Sequence, residues 1–281
     1  MNSFIEHWGL REQPFESVAD ARFFYPSSSH AEALARLEYL VNQRTLQIGM
    51  LTGEVGCGKS MVRQVLASRV DAGAHCVLQF ENSSFPFVDH LRRLLSSFGL
   101  GEKASSARGE YDLYELVAEC LHQLHEVHGR SLVLLFDEAQ DLAPEVLRQV
   151  KSLTNLNERE RGALTVLLIG QPELRDLTAR IPAVDQRVSL RYHLRPLAAP
   201  DVGLYLGHRL TAAGCPRAEV FAPAACERVF QASRGIPREI NRLARLALEI
   251  ACSKGIHHVD ADTVVTVVED LRRHQPMPSW T

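Results

Sequence analysis

The hydrophobic pattern of this chain changes character once, across residues 196–201. Before that point, short apolar runs alternate with stretches of helical period. After it, only helical period remains. Residues 47–51, 75–80, 131–136 and 164–169 read as strands, with a final short strand at 192–194. The runs at 131–136 and 164–169 are almost continuously apolar, as strands covered on both faces are. Residues 61–72, 88–98, 111–127 and 142–156 carry apolar side chains at helical spacing. An earlier helix shows a stripe of Leu34, Leu37, Leu40 and Val41, with Ser29 and Glu32 at capping-box spacing. Residues 99–109 are small, polar and glycine-bearing, and read as a mobile surface loop. Strands alternating with helices imply parallel crossovers. The expected fold class is therefore α/β, with a parallel sheet covered by helices on both faces over residues 1–197.

Residues 202–213, 223–233, 236–253 and 260–273 read as helices, with Gly214, Gly235 and Gly255 at C-terminal ends. They predict a smaller all-helical domain over 198–273. A flexible tail, 274–281, follows with Pro276 and Pro278. The first 28 residues hold Phe4, Trp8, Phe15, Phe23, Phe24 and Tyr25 among turn residues. Aromatic side chains in such a strap must pack, either over the domain core or as one wall of a base pocket.

Composition narrows the class. A chain of 281 residues, 46% hydrophobic and 23% charged, can bury a sizeable core. A formal net charge of −3 makes it no polycation, so contact with nucleic acid would need a local basic patch. Its six cysteines include no C-x-x-C pair, which argues against a zinc site or redox motif and fits a reducing compartment. Residues 1–10 form no signal-peptide core, and no apolar run approaches the ~20 residues that span a bilayer. The expectation is a cytoplasmic protein, brought to the inner membrane face only by a partner.

The chemistry gathers in three places. The stretch Gly53-Glu54-Val55-Gly56-Cys57-Gly58-Lys59-Ser60-Met61 fits the phosphate-loop (Walker A) pattern G-x-x-x-x-G-K-[ST] and lies between a strand and a helix. Glycines let backbone N–H groups close around phosphate oxygens. Lys59 would reach the β- and γ-phosphates of ATP, and the Ser60 hydroxyl would ligate Mg²⁺. Asp137 and Glu138 follow a buried strand, where open α/β sheets place ligands. One carboxylate there can hold the Mg²⁺ shell, and its neighbour can polarise a water. The plain alternative is two solvated acids at a strand end. Gln171 ends the next strand, where an amide can orient water or touch the γ-phosphate; otherwise it is a turn residue before Pro172.

These residues, with Asp185-Gln186-Arg187 and Gly235-Ile236-Pro237-Arg238, occur in the order used by AAA+ ATPases. The chain resembles most the ExeA/GspA type, the general secretion pathway protein A ATPases, together with the related pilus-biogenesis ATPase MshM. The likeness rests on Gly9-Leu10, Pro14-Phe15, Phe23-Phe24-Tyr25, His30-Ala31-Glu32-Ala33-Leu34, Phe136-Asp137-Glu138-Ala139-Gln140, Gly170-Gln171-Pro172-Glu173-Leu174 and Tyr192-His193-Leu194-Arg195-Pro196-Leu197. The resemblance implies that Gln171 is a first nucleotide sensor and that Arg238, on a helical lid, is a second. Arg187 resembles an arginine finger inserted into a neighbouring subunit's site, with Arg191 and Arg195 as nearby competitors; its plain alternative is a surface salt bridge. Asn82 stands where many AAA+ proteins carry a polar residue that restrains the glutamate. The family also implies a homo-oligomer, as ring or filament, acting on a membrane-associated secretion or pilus protein. Its longer members continue into a membrane span and a peptidoglycan-binding part. A more distant resemblance, to the TniB, TnsC and MuB transposition ATPases, implies instead an oligomer that binds DNA through arginines such as Arg234, Arg238, Arg242 and Arg245, or Arg92 and Arg93.

Overall fold

The computed structural model describes residues 2–16, 20–43, 47–81, 85–156, 162–217 and 219–274. Five strands, β1 (Ile48–Gly53), β2 (His75–Phe80), β3 (Ser131–Phe136), β4 (Leu164–Gly170) and β5 (Val188–Leu194), form one sheet in the order β2-β3-β4-β1-β5. Every pairing is parallel. β1, β3 and β4 are buried along their whole lengths, which is why their sequences are largely apolar, broken only by the small residues Gly49, Gly53, Gly170, Thr52, Ser131 and Thr165. β2, at an edge, is half-buried through its middle.

The helices are α1 (Asn2–Trp8), α2 (Ser28–Asn42), α3 (Lys59–Arg69), α4 (Phe87–Ser97), α5 (Gly101–Ser106), α6 (Glu110–His122), α7 (Pro144–Thr154), α8 (Glu173–Ala179), α9 (Pro182–Asp185), α10 (Ala199–Ala212), α11 (Pro223–Ser233), α12 (Pro237–Ser253) and α13 (Ala261–His274). The chain divides into two compact units. One comprises residues 31–55 and 62–194 and contains the sheet. The other comprises residues 1–30, 56–61 and the chain from 195 on.

The sheet unit is built on Ile48, Met50, Leu134, Phe136, Val166 and Leu168, with Leu91, Leu94, Leu121 and Leu147 covering them. Each such side chain contributes roughly 1.5–3 kcal/mol by leaving water. In the helical unit, Leu206, Leu210, Val229, Ala244, Leu248 and Val264 form the core together with Trp8, Phe15 and Phe23. The aromatic strap thus packs with the helical unit rather than the sheet. Its anchor is Arg209, 3% exposed, whose guanidinium donates to the carbonyls of Pro14 and Glu16 and stands 4.7 Å over the Phe23 ring. A buried guanidinium needs such acceptors to offset its lost hydration.

Three local expectations are corrected. Residues 99–109 are not simply a loop: Gly99 turns the chain at φ +76°, and α5 follows with Ala104 buried in the core. Its short, mostly polar sequence hides that single inward contact. The cap of α2 is Ser27, whose hydroxyl accepts from the His30 N–H; Ser29 instead accepts from the Arg195 N–H. The last strand begins at Val188, because its half-exposed face carries polar residues that mask the period. Asn82 and the tail from 275 on lie outside the described residues.

Candidate active site

The phosphate loop leaves β1 and ends where α3 begins at Lys59. Its backbone turns at Gly56, φ +81°, and Gly58, φ +99°, a region that side-chain-bearing residues rarely enter. Space excludes a Cβ there as well. One added at Gly56 would stand 2.8 Å from the Arg238 Cβ, and one at Gly58 would stand 2.9 Å from His30 Nε2. Two contacts hold the loop from behind. The Arg238 N–H donates to the Gly56 carbonyl at 3.2 Å. His30 Nε2 lies 2.9 Å from the Cys57 carbonyl, and its Nδ1 lies 2.7 Å from Ser27 Oγ. A carbonyl only accepts, so Nε2 carries the proton and Nδ1 receives the serine O–H. Burial lowers the His30 pKa, against a smaller opposing effect of the Cys57 carbonyl. Lys59 is buried and Ser60 exposed, while Glu54 and Val55 face solvent. Cys57 is fully buried, and Met61 packs against the helical core. α3 presents the unsatisfied N–H groups of its first turn at the loop, the usual setting for an anion.

At the C-terminal edge of the sheet, register sets a second group of residues. Phe136 is level with Leu168 and Thr52 with Gly170, so Asp137 and Gln171 emerge from neighbouring strands. Asp137 is 7% exposed, and its Oδ1 accepts from the Glu138 N–H at 3.0 Å. The Arg63 guanidinium lies 3.4 Å from its other oxygen and 3.8 Å from Glu81. The Arg63 Nε and Nη1 atoms are buried without a hydrogen bond, so the charge contact with Asp137 is loose.

Glu138 adopts φ 48°, ψ 43°, a left-handed conformation uncommon outside glycine. It lets the chain turn from β3 directly into the tight turn Ala139–Asp141. Its Oε2 accepts from Gln140 Nε2 at 2.9 Å and, at a longer 3.5 Å, from Gln171 Nε2. Gln140 Oε1 in turn accepts the Gln171 N–H at 2.9 Å.

The structure thus brings Asp137, Glu138 and Gln171 together, and it seats Arg238 against the phosphate loop. Arg187 is elsewhere. It precedes β5, whose first residue is level with Ile48, so it stands at the opposite edge of the sheet. One β1 length, about 20 Å at ~3.3 Å per residue, separates the two edges. Its guanidinium donates to Gln47 Oε1 at 2.8 Å and Asn155 Oδ1 at 3.4 Å, both neutral. Arg191 is paired with Asp185 at 2.7 Å. Sequence reasoning missed His30, Arg63 and Gln140. Only Gln140 and His30 stood inside quoted motifs, and nothing in those motifs gives either a contact.

The Ser60 hydroxyl and the Asp137 carboxylate are each oxygen donors of the kind a hard cation such as Mg²⁺ takes, and Mg²⁺ keeps several waters and needs only one or two protein ligands. The glycine loop suits phosphate, since the space beside Gly56 and Gly58 is closed to any side chain.

Residues 42–178 match the family described as AAA domain. Sheet order, loop and strand-end acids agree with that match, and the fold is that of an AAA+ nucleotide-binding domain. More particularly, it resembles general secretion pathway protein A of Aeromonas hydrophila, at 36% identity over 263 residues, covering 91% of this chain and 46% of that protein. The chain therefore spans less than half of that relative's length. Among solved structures, the Aeropyrum pernix ORC2 protein in its ADPNP-ADP complexes superposes with TM-score 0.64 at 19% identity, covering 85% of this chain and 66% of that one. Drosophila ORC bound to DNA gives 0.62 at 18% identity, covering 96% and 66%. At such identities the likeness concerns the fold alone. Among the described residues, no helix is long and apolar enough to cross a membrane.

Proposed function

We propose that this chain hydrolyses ATP as an AAA+ switch, assembles head to tail, and uses the cycle to assemble or remodel a membrane-associated secretion or pilus partner. One observation carries the hydrolytic part. Glu138 stands beside Asp137 at a strand end with Oε2 held by amides, while its Oε1 accepts no hydrogen bond among the described residues. An oriented carboxylate with one open oxygen is suited to take a proton from water. In this reading the loop N–H groups and Lys59 hold the triphosphate, and Gln171 orients the water. Ser60 and Asp137 are the oxygens that would hold Mg²⁺, which when bound neutralises charge on the phosphates. Arg238 answers the bound nucleotide from the lid, because its backbone is already tied to the loop.

Arg187 acts in trans. Its place on the far edge of the sheet keeps it from Glu138 of its own chain, and its planar guanidinium is suited to bidentate contact with a phosphate. Head-to-tail contacts of this kind close into rings or run on as filaments. The DNA-binding reading has less support. Arg242 and Arg245 face Glu239 and Glu249, and Arg92 faces Asp89, so these faces are not purely basic.

The test is phosphate release together with electron microscopy with ATP and Mg²⁺, with and without duplex DNA. ATP-dependent assembly and turnover without DNA are expected. Absence of any turnover would overturn the enzymatic reading, and assembly only on DNA would favour the alternative.

A further inference from the structure

We propose that Gln140 is a positioning residue that locks Glu138 and Gln171 into one unit. The inference rests on the reading of Glu138 as the group that activates water. The Gln140 amide makes two bonds of opposite sense, donating to Glu138 Oε2 at 2.9 Å and accepting from the Gln171 N–H at 2.9 Å. Its orientation is fixed by these partners, since a carboxylate only accepts and a backbone N–H only donates. Reversing the amide would lose both bonds at once.

The arrangement has a cost and a support. Glu138 is held in a left-handed conformation, where non-glycine residues persist only when their surroundings over-determine them. Gln140 supplies part of that surrounding. Gly170 makes room for it: a Cβ at Gly170 would stand 2.6 Å from Gln140 Oε1 and 3.2 Å from the Gln140 N. Strand β4 therefore ends in glycine where the amide must pass. A change in Gln171 on nucleotide binding is transmitted to Glu138 through a single rigid amide, and also directly by the longer 3.5 Å contact. Losing the clamp leaves the carboxylate free to rotate, and misplacement on the ångström scale costs on the order of 10²-fold in rate.

Three full-length variants test this: Gln140→Met, which keeps the length and loses both bonds; Gly170→Ala, which displaces the amide from the other side; and the pair together. Each is expected to lower kcat by about tenfold to a hundredfold with KM and ATP-induced thermal stabilisation unchanged. The double variant is expected to be no slower than the slower single one, because both remove the same contact. A merely structural role would lower thermal stability and leave kcat per folded molecule intact. Normal kcat in Gln140→Met, or additive losses in the double variant, would overturn the proposal. Glu138→Gln serves as the control. If it still turns over, the reading of Glu138 has failed; if it is inactive while Gln140→Met is normal, only the clamp has.

Discussion

The phosphate loop and the end of β3 reach unusual backbone geometry by opposite means. In the loop, both residues with positive φ are glycines, so the shape costs no side-chain strain. At the end of β3, the residue with positive φ is Glu138, at a cost of roughly 1–3 kcal/mol. The difference follows from what each place must supply. The loop offers backbone N–H groups, and a side chain would be in the way. The strand end offers a carboxylate, and glycine would relieve the strain by removing the chemistry. Geometry in the loop is carried by residue type, whereas at β3 it is carried by neighbours.

The largest effect comes from Lys59. Lys59→Ala leaves the glycine geometry intact and removes a point charge. ATP with Mg²⁺ should no longer raise the thermal midpoint, since that rise reports binding through mass action. A midpoint that still rises fully would mean that the loop is not the triphosphate site.

Arg187 extends the comparison to the opposite edge of the sheet. Arg187→Ala is expected to bind ATP yet lose about 10³–10⁵ in turnover, the scale of fingers in other nucleotide hydrolases. Mixing it with Lys59→Ala subunits should restore part of the rate, because some interfaces then pair an intact loop with an intact finger. Activity that is independent of concentration and shows no rescue on mixing would return Arg187 to a structural role on Gln47 and Asn155.

The comparison itself is tested at Glu138. Glu138→Gln keeps the strain and should lose roughly 10²-fold or more in turnover with ATP affinity retained. Glu138→Gly should lose as much turnover while gaining about 0.5–1 kcal/mol of stability, because the left-handed conformation suits glycine. Urea denaturation of the two variants separates these outcomes. A glycine variant less stable than the glutamine one would show that side-chain contacts outweigh the backbone strain.

The sequence made the loop and the acid pair legible because both are local. Eight consecutive residues specify the loop, and an apolar run followed by Asp137-Glu138 specifies the strand end. The sheet was legible for the same reason, through alternating periods. What the sequence concealed depends on register and packing. Gln140 meets Gln171 across 31 positions, and His30 meets Cys57 across 27. Arg63 sits on the helix of the phosphate loop with no local sign that it faces Asp137. Arg187 was legible as a residue type in a family-like position, but its partners Gln47 and Asn155 flank two distant elements, β1 and α7.

The smallest expected effect concerns the support beneath the loop. Burial lowers the His30 pKa below the ordinary histidine value, against smaller opposing effects of the Cys57 carbonyl and the Asp201 charge. The unfolded chain therefore takes up a proton near pH 6.5, while the folded chain does so only at lower pH. Between those two points the unfolded state binds more protons, so stability falls as pH drops below about 6.5 and is fully present above it. His30→Gln keeps an N–H donor for the Cys57 carbonyl and removes the titration. Its thermal midpoint should fall less than that of the parent protein between pH 7.5 and 5.5. Some slope will remain, because burial and the Arg209 charge also lower the His208 pKa. Identical slopes in the two proteins would show that protonation of His30 is not linked to folding. In that case the His30–Cys57 bond would survive protonation, as a doubly protonated imidazole can still donate through Nε2, and the loop would be as insensitive to acid as its glycines alone would make it.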